Sequence, residues 1–212
     1  MAGQMPPPEP VMDNEPHDLR ARNKQATREA ISTAALRLAL EQGPQGLKLV
    51  RVTDIASAAG VAPRTYNNYF SSREEAICAF QADQARRLGR ALRSRPADEP
   101  LAQAITAATI DVFTNPEPDR AGLAMIMSTP ELQGEALKAF TMAEEPLAVA
   151  ITERVGDDPQ SDLSAHVLAA AVAGAVRVAG RHWLSTTNPP SFADVLRDAL
   201  RRILPTRPAD DR

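Results

Sequence analysis

A single cysteine, Cys78, stands in 212 residues. No internal disulfide and no cysteine zinc site can be built from it. Histidine is as scarce, and His17, His166 and His182 lie too far apart for a metal motif. The most apolar stretch, residues 168–176 between His166 and Arg177, falls far short of the roughly 20 residues that span a bilayer. No basic-then-apolar leader opens the chain, so the expectation is a cytoplasmic protein with no membrane partner. Sustained period-two alternation is missing, which argues against a sheet. There is no nucleophile elbow, no phosphate-cradling glycine loop and no paired-acid motif. The sequence therefore predicts no catalytic residue, no metal and no enzyme, and Cys78 reads as a small buried hydrophobe. Aromatics make up only 4% of the chain.

What is present is alanine, 38 residues of it. Alanine is the best helix former, and strands favour the aromatic and β-branched residues that are short here. With 43% apolar and 24% charged residues the chain has the make-up of a globular protein. The expected fold is all-α. Net charge is −3, which argues against a nucleic-acid partner until it is divided along the chain. Residues 1–18 carry −4, residues 19–75 carry +4 and the remainder carries −3. A basic excess confined to one short segment is either the footprint of an anionic partner or chance clustering on a solvated face, and charge alone does not choose between them.

Residues 1–18 hold five prolines and almost no apolar pattern, and are expected to be a disordered tail. A first helix is predicted over about 19–42, with Ile31, Ala34, Ala35 and Leu38 on one face. Gly43, Pro44 and Gly46 stop it. Short helices are predicted over 52–59 and 62–69 on either side of Gly60. A fourth begins at Ser71-Ser72, where hydroxyls can cap and Glu74 and Glu75 suit the dipole, and runs to Arg95. Its apolar positions include Ala76, Ile77, Phe80, Leu88 and Leu92. Prolines then divide the rest into helices over about 100–114, 118–128, 131–154 (with a break at Pro146), 160–186 and 191–204. The domain division expected is 19–70 for a three-helix module, 71–206 for a six-helix one, and 207–212 for a flexible end.

The segment from Thr53 to Tyr66 has the chemistry of a helix-turn-helix. Ala56 is small where two helices must pass closely, and Gly60 can take the positive φ of a tight turn. Ile55, Val61 and Tyr66 can bury against the first helix, and Pro63 is tolerated in a first helical turn. This segment, with Ile31-x-x-Ala34-Ala35-Leu36-x-Leu38 before it and Thr65-x-x-x-Tyr69-Phe70-x-Ser72-Arg73-Glu74 after it, resembles the TetR family of transcriptional regulators over about residues 20–80. The resemblance implies an all-helical dimer, a DNA-binding head on each subunit, and a C-terminal domain that pairs subunits and takes a small-molecule effector. It departs from the family at Arg51, where Thr is usual, at Tyr66 and Asn67, where Leu and Tyr are usual, at Arg73 for Lys, and at Ala39 for Phe. The connection from Gly43 to Arg51 is about three residues longer than usual.

The resemblance places Arg64, Thr65, Asn67 and Asn68 at base edges in the major groove. Arg51, Tyr69 and Arg73 become candidate phosphate contacts, and Lys24 and Arg22 reach DNA from the N-terminal arm. Tyr66 joins the DNA-binding set by its place in the same helix. The implied partner is a pseudo-palindromic double-stranded operator. Residues 163–180 are small and apolar, which suits close helix packing, and the final two helices, about 160–186 and 191–204, are the expected homodimer surface. No cofactor is expected. The effector is an apolar small molecule of unknown identity, with Phe113, Met125, Met127, Phe140, Met142, His182 and Trp183 as candidate contacts. The Arg95-to-Pro100 connector looks like one found in actinobacterial members. A helical dimer that binds a protein partner and has lost DNA binding is the alternative reading.

Overall fold

In a computed structural model residues 15–43, 46–156 and 159–204 are described, and among them are ten α-helices and no strand. They are α1 (Glu15–Glu41), α2 (Gly46–Leu49), α3 (Val52–Ala58), α4 (Pro63–Asn67), α5 (Arg73–Arg93), α6 (Leu101–Thr114), α7 (Arg120–Ser128), α8 (Pro130–Val155), α9 (Pro159–Ser185) and α10 (Phe192–Ile203). The nine helices predicted from sequence all occur, and the fold is all-α. Helix α1 begins at Glu15, four residues inside the stretch expected to be a tail, because Pro16 falls in the first turn, where its missing N–H costs no intrahelical bond. Residues 1–14 and 205–212, which hold the rest of the predicted tail and the predicted flexible end, lie outside the described residues. Helix α2 was not predicted; it occupies the lengthened connection before Arg51.

Two apolar cores share the chain. The first gathers Ile31, Ala35 and Ala39 of α1 with Ile55, Tyr66, Phe70 and Ile77, and is completed by Ile126 of α7 and Leu132 and Ala136 of α8. The head is thus closed by side chains from far beyond residue 70. The small Ala39, where the family commonly has Phe, is fully buried there. The second core is built from α5, α6, α8, α9 and α10.

Helices α5 and α8 form its most extensive contact. Gly89 makes that contact possible, since a Cβ there would lie 2.5 Å from the Pro146 carbonyl oxygen. Pro146 itself does not break α8, contrary to the expectation from sequence; the helix runs through it to Val155. Near that end Arg154 secures the exit of α5. Its guanidinium donates to the carbonyls of Leu92 (3.3 Å), Arg95 (3.2 Å) and Glu99 (3.1 Å), and to that of Pro96. These carbonyls belong to the last turn of α5 and to the connection that follows it.

Helix α9 lies across the second core. Ala165, Ala169, Val172, Val176 and Ala179 face inward, while Leu163, Val167 and Val178 stand exposed along its outer side. By length and composition residues 160–185 could cross a bilayer, although the unbroken apolar run within them, between His166 and Arg177, is far shorter. The inner face is nevertheless committed to the core. Trp183 fastens the turn into α10: its Nε1 donates to Pro190 O at 3.0 Å and its ring tilts against Phe192 at 5.3 Å.

His166 ties α9 to α8 at the surface. Its Nδ1 lies 2.9 Å from Asp162 O and its Nε2 lies 3.0 Å from Glu145 Oε2. Both neighbours only accept, so the doubly protonated ring satisfies both. The Asp162 carbonyl first, and the Glu145 carboxylate next, raise its pKa. A raised folded pKa contributes stability that is full below the unfolded value of about 6.5 and is lost as pH climbs through the folded value. His166→Asn is therefore expected to lower the melting temperature at about pH 5.5 and to leave it unchanged at about pH 9. A loss of equal size at both, followed by circular dichroism, would show that the imidazolium does not tie the helices.

Candidate nucleic-acid interface and effector cavity

The head is organised around Tyr66. Sequence placed this residue both against the first helix and in the DNA-binding set, and only the first holds. Its side chain is 1% exposed, and its hydroxyl donates to Ser72 O at 2.8 Å. Burial, assisted by Glu74 and Glu75, pushes the phenol up to about 12. It cannot meet DNA; it fixes α4 to the start of α5 instead. Gly60 has φ +69°, as the tight turn requires, and Val61 N–H donates to Ala56 O at 2.9 Å across it. Ser72 caps α5 by accepting from Glu75 N–H at 3.0 Å, while the Glu75 carboxylate accepts from Ser71 N–H at 2.9 Å. That is close to a capping box.

With Tyr66 turned inward, Arg64, Asn67 and Asn68 stand exposed on the outer side of α4, with Thr65 half-buried between them. Arg51 is exposed at the position before α3, and Arg22 and Lys24 are exposed along α1. Tyr69 is half-buried. Arg73 is partly committed elsewhere: it donates to Val50 O at 3.0 Å and to Glu74 Oε1 at 2.9 Å. The basic excess of the segment is therefore shared between two duties. Arg37 pairs with Glu41 at 2.7 Å, and Arg28 is structural, whereas Lys24, Arg51 and Arg64 have no ion pair among the described residues.

Sequence reasoning missed Arg28. From α1 its guanidinium lies 4.4 Å over the Phe70 ring, donates to Tyr69 O at 3.3 Å and pairs with Asp83 at 3.4 Å. It clamps the α4–α5 junction and so sets where α4 points. One arginine among nine basic residues carries no signal that would single it out.

A cavity of about 90 Å³ lies beneath the head, among α5, α6, α7, α8 and α9. It collects three of the predicted effector contacts, Phe113, Met127 and Phe140, and leaves four outside. Met125 packs in the head core. Met142 is 61% exposed and His182 is also on the surface. Trp183 is spent on the α9–α10 turn. Residues the sequence did not flag, Gln81, Leu123, Val176 and Arg177, complete the wall. Phe80, expected in the core, is instead half-exposed at the mouth, where Leu36, Phe80 and Asp119 are shared with a broad outer cleft between α1 and α5.

Cys78 has no catalytic character. Its thiol is buried, donates to Leu132 O at 3.5 Å and is pushed up to about 12 by that burial. Among the described residues there is no group of three or more side chains that could hold a metal ion.

The chain is similar to known proteins. Residues 99–208 match the family model described as the MftR C-terminal domain. The chain is 30% identical over 205 residues to the HTH-type transcriptional regulator TcmR of Streptomyces glaucescens, covering 91% of this chain and 89% of that one. It is 28% identical over 174 residues to MftR of Mycobacterium tuberculosis, named as a mycofactocin biosynthesis transcriptional regulator, covering 80% of this chain and 86% of that one. Among solved structures it is similar to FadR of Bacillus halodurans (TM-score 0.55, 16% identity, 85% of this chain and 99% of that one). It is also similar to the Thermus thermophilus FadR solved with lauroyl-CoA (TM-score 0.52, 20% identity, 87% and 98%). These two share the fold, and the sequence relatives are regulators of transcription, not enzymes. The chain belongs to the TetR family of transcriptional regulators.

Proposed function

We propose that this protein is a ligand-responsive repressor that binds a pseudo-palindromic operator as a cytoplasmic homodimer. The observation that carries the reading is the division of labour on α4. Tyr66 is buried and locked to Ser72, so Arg64, Asn67 and Asn68 are presented together on a rigid outward face. Arg and Asn are the side chains that pair bidentately with guanine and adenine edges. Arg51 and Lys24 serve as phosphate contacts, with Arg22, Tyr69 and the remaining donor of Arg73 beside them.

Pairing of subunits falls to α9 and α10. Leu163, Val167 and Val178 recur along one exposed side of α9, an apolar strip of the kind that homodimers cover. Helix α10 contributes only the half-buried edge of Val195, Ala199 and Ile203. Its outer side carries Asp194, Arg197, Asp198, Arg201 and Arg202, ion-paired within the helix.

The effector enters the cavity under α7. The first turn of α7 meets the head directly, since a Cβ on Gly122 would come within 3.0 Å of Leu36 of α1. A molecule that separates α7 from α5 shifts α1, and with it the spacing of the two heads. That is a population shift between a binding and a non-binding state.

A gel-shift titration against the DNA flanking the protein's own gene, with a scrambled duplex as control, tests the reading at about 150 mM salt. Binding that is tight and sequence-dependent is the expected result. Equal, weak binding to operator candidates and control would overturn it.

A further inference from the structure

Arg177 lines an apolar cavity and has no ion-pair partner among the described residues. The wall around it is Phe113, Leu123, Ile126, Met127, Phe140 and Val176. Arg177 is half-buried on α9, and no carboxylate, carbonyl or ring partners its guanidinium among the described residues. Other half-buried arginines of this chain are provided for: Arg154 has its set of carbonyls, and Arg28 has Asp83, Tyr69 O and Phe70. The other charged residue of the wall, Asp119, is occupied in capping α7, accepting from Ala121 N–H at 3.1 Å and Gly122 N–H at 3.0 Å. A second polar group is stranded at the same wall. Gln81 Oε1 is buried without a donor among the described residues. Gln84, its neighbour one turn along α5, is satisfied through Nε2 to Val112 O at 3.0 Å.

A partly desolvated cation without a counter-ion, and a buried acceptor without a donor, are each costly. Both costs vanish when one molecule supplies an anion and an N–H or O–H. We propose that the effector is an apolar carboxylic acid. Its carboxylate pairs with the Arg177 guanidinium, its body lies against Phe113, Phe140 and Met127, and a hydroxyl or amide N–H on it meets Gln81 Oε1. Two oxygens of a carboxylate match the planar fork of an arginine, giving a bidentate, charge-assisted pair. Met127 is unbranched and half-buried, so the cavity can widen around a body larger than its present volume. The inference rests on the reading of this cavity as the effector site.

Isothermal calorimetry on the full chain with two acid–amide pairs tests it: 2-naphthoate against 2-naphthamide, and octanoate against octanamide. Each amide keeps the shape of its acid and removes the charge. The expected result is that at least one acid binds about tenfold or more tightly than its amide. Arg177→Gln is expected to abolish that preference while leaving the amide within about twofold of wild type, and Arg177→Lys to restore part of it. An amide equal to its acid, a preference that survives Arg177→Gln, or no heat from either pair overturns the proposal. None of these readings involves DNA. An acid preference without operator binding would overturn the regulator reading alone, and operator binding without an acid preference would overturn the charge assignment alone.

Discussion

Replacing Gly89 with alanine is expected to destabilise the protein by about 2–4 kcal/mol in urea unfolding, a large loss for one methyl group. The added Cβ would sit 2.5 Å from the Pro146 carbonyl oxygen and 2.9 Å from its carbonyl carbon. Those are backbone atoms of α8, so no side chain can rotate away. The two helices must separate along the seam that carries Leu88, Leu92, Leu147 and Ile151 in the second core. Gly134 provides the opposite case. It lies on the exposed side of α8, where a Cβ meets nothing within 4 Å. Gly134→Ala is expected to stabilise by about 0.5–1 kcal/mol through helix propensity alone. Losses of similar size at both positions would mean that close approach at Gly89 is not what positions α8.

The contrast between these glycines explains what sequence could and could not disclose. Helix existence follows from alanine content, proline punctuation and capping residues, all local, and every predicted helix is present. Ser72 and Glu75 announce the start of α5 because their hydrogen bonds lie within one turn. Gly60 announces its turn for the same reason. Gly89 announces nothing, since the atom that requires it to lack a side chain is 57 residues away. Arg28 is likewise indistinguishable in a list of basic residues from Arg51, although one clamps Phe70 and the other stands free.

The cavity under α7 was legible only by residue type. Aromatic and methionine positions were chosen because such side chains line cavities, and Phe113, Met127 and Phe140 do so. Met125 fails because α7 turns one side to the head core and the other to the cavity, and that division depends on how α7 sits between α1 and α8. Arg177 and Gln81 were passed over because a polar residue in a helix is usually solvated. Only packing shows that these two line the cavity.

On the proposed function, α4 lies in the major groove. Arg64→Ala is expected to cost roughly 1–3 kcal/mol of operator binding and to relax base preference at one position. Non-specific binding should change much less. The structure sharpens this expectation in two ways. Arg64 has no ion pair among the described residues to give up and lies on the side of α4 opposite the buried Tyr66, so its removal leaves the head intact. Arg73, by contrast, is already held by Val50 O and Glu74. An Arg73→Ala loss would therefore combine a phosphate contact with a weakened α2–α5 junction. Arg51 is the cleaner phosphate test. Arg51→Ala should weaken all duplexes alike and lower the slope of log affinity against log salt by about 1. Titrations of wild type, Arg64→Ala and Arg51→Ala on operator and scrambled DNA across a salt series separate the roles. Loss of specificity belongs to Arg64 and loss of slope to Arg51. If Arg64→Ala lost slope and kept its base preference, Arg64 would be a backbone contact, and the bases would have to be read from Asn67 and Asn68 instead.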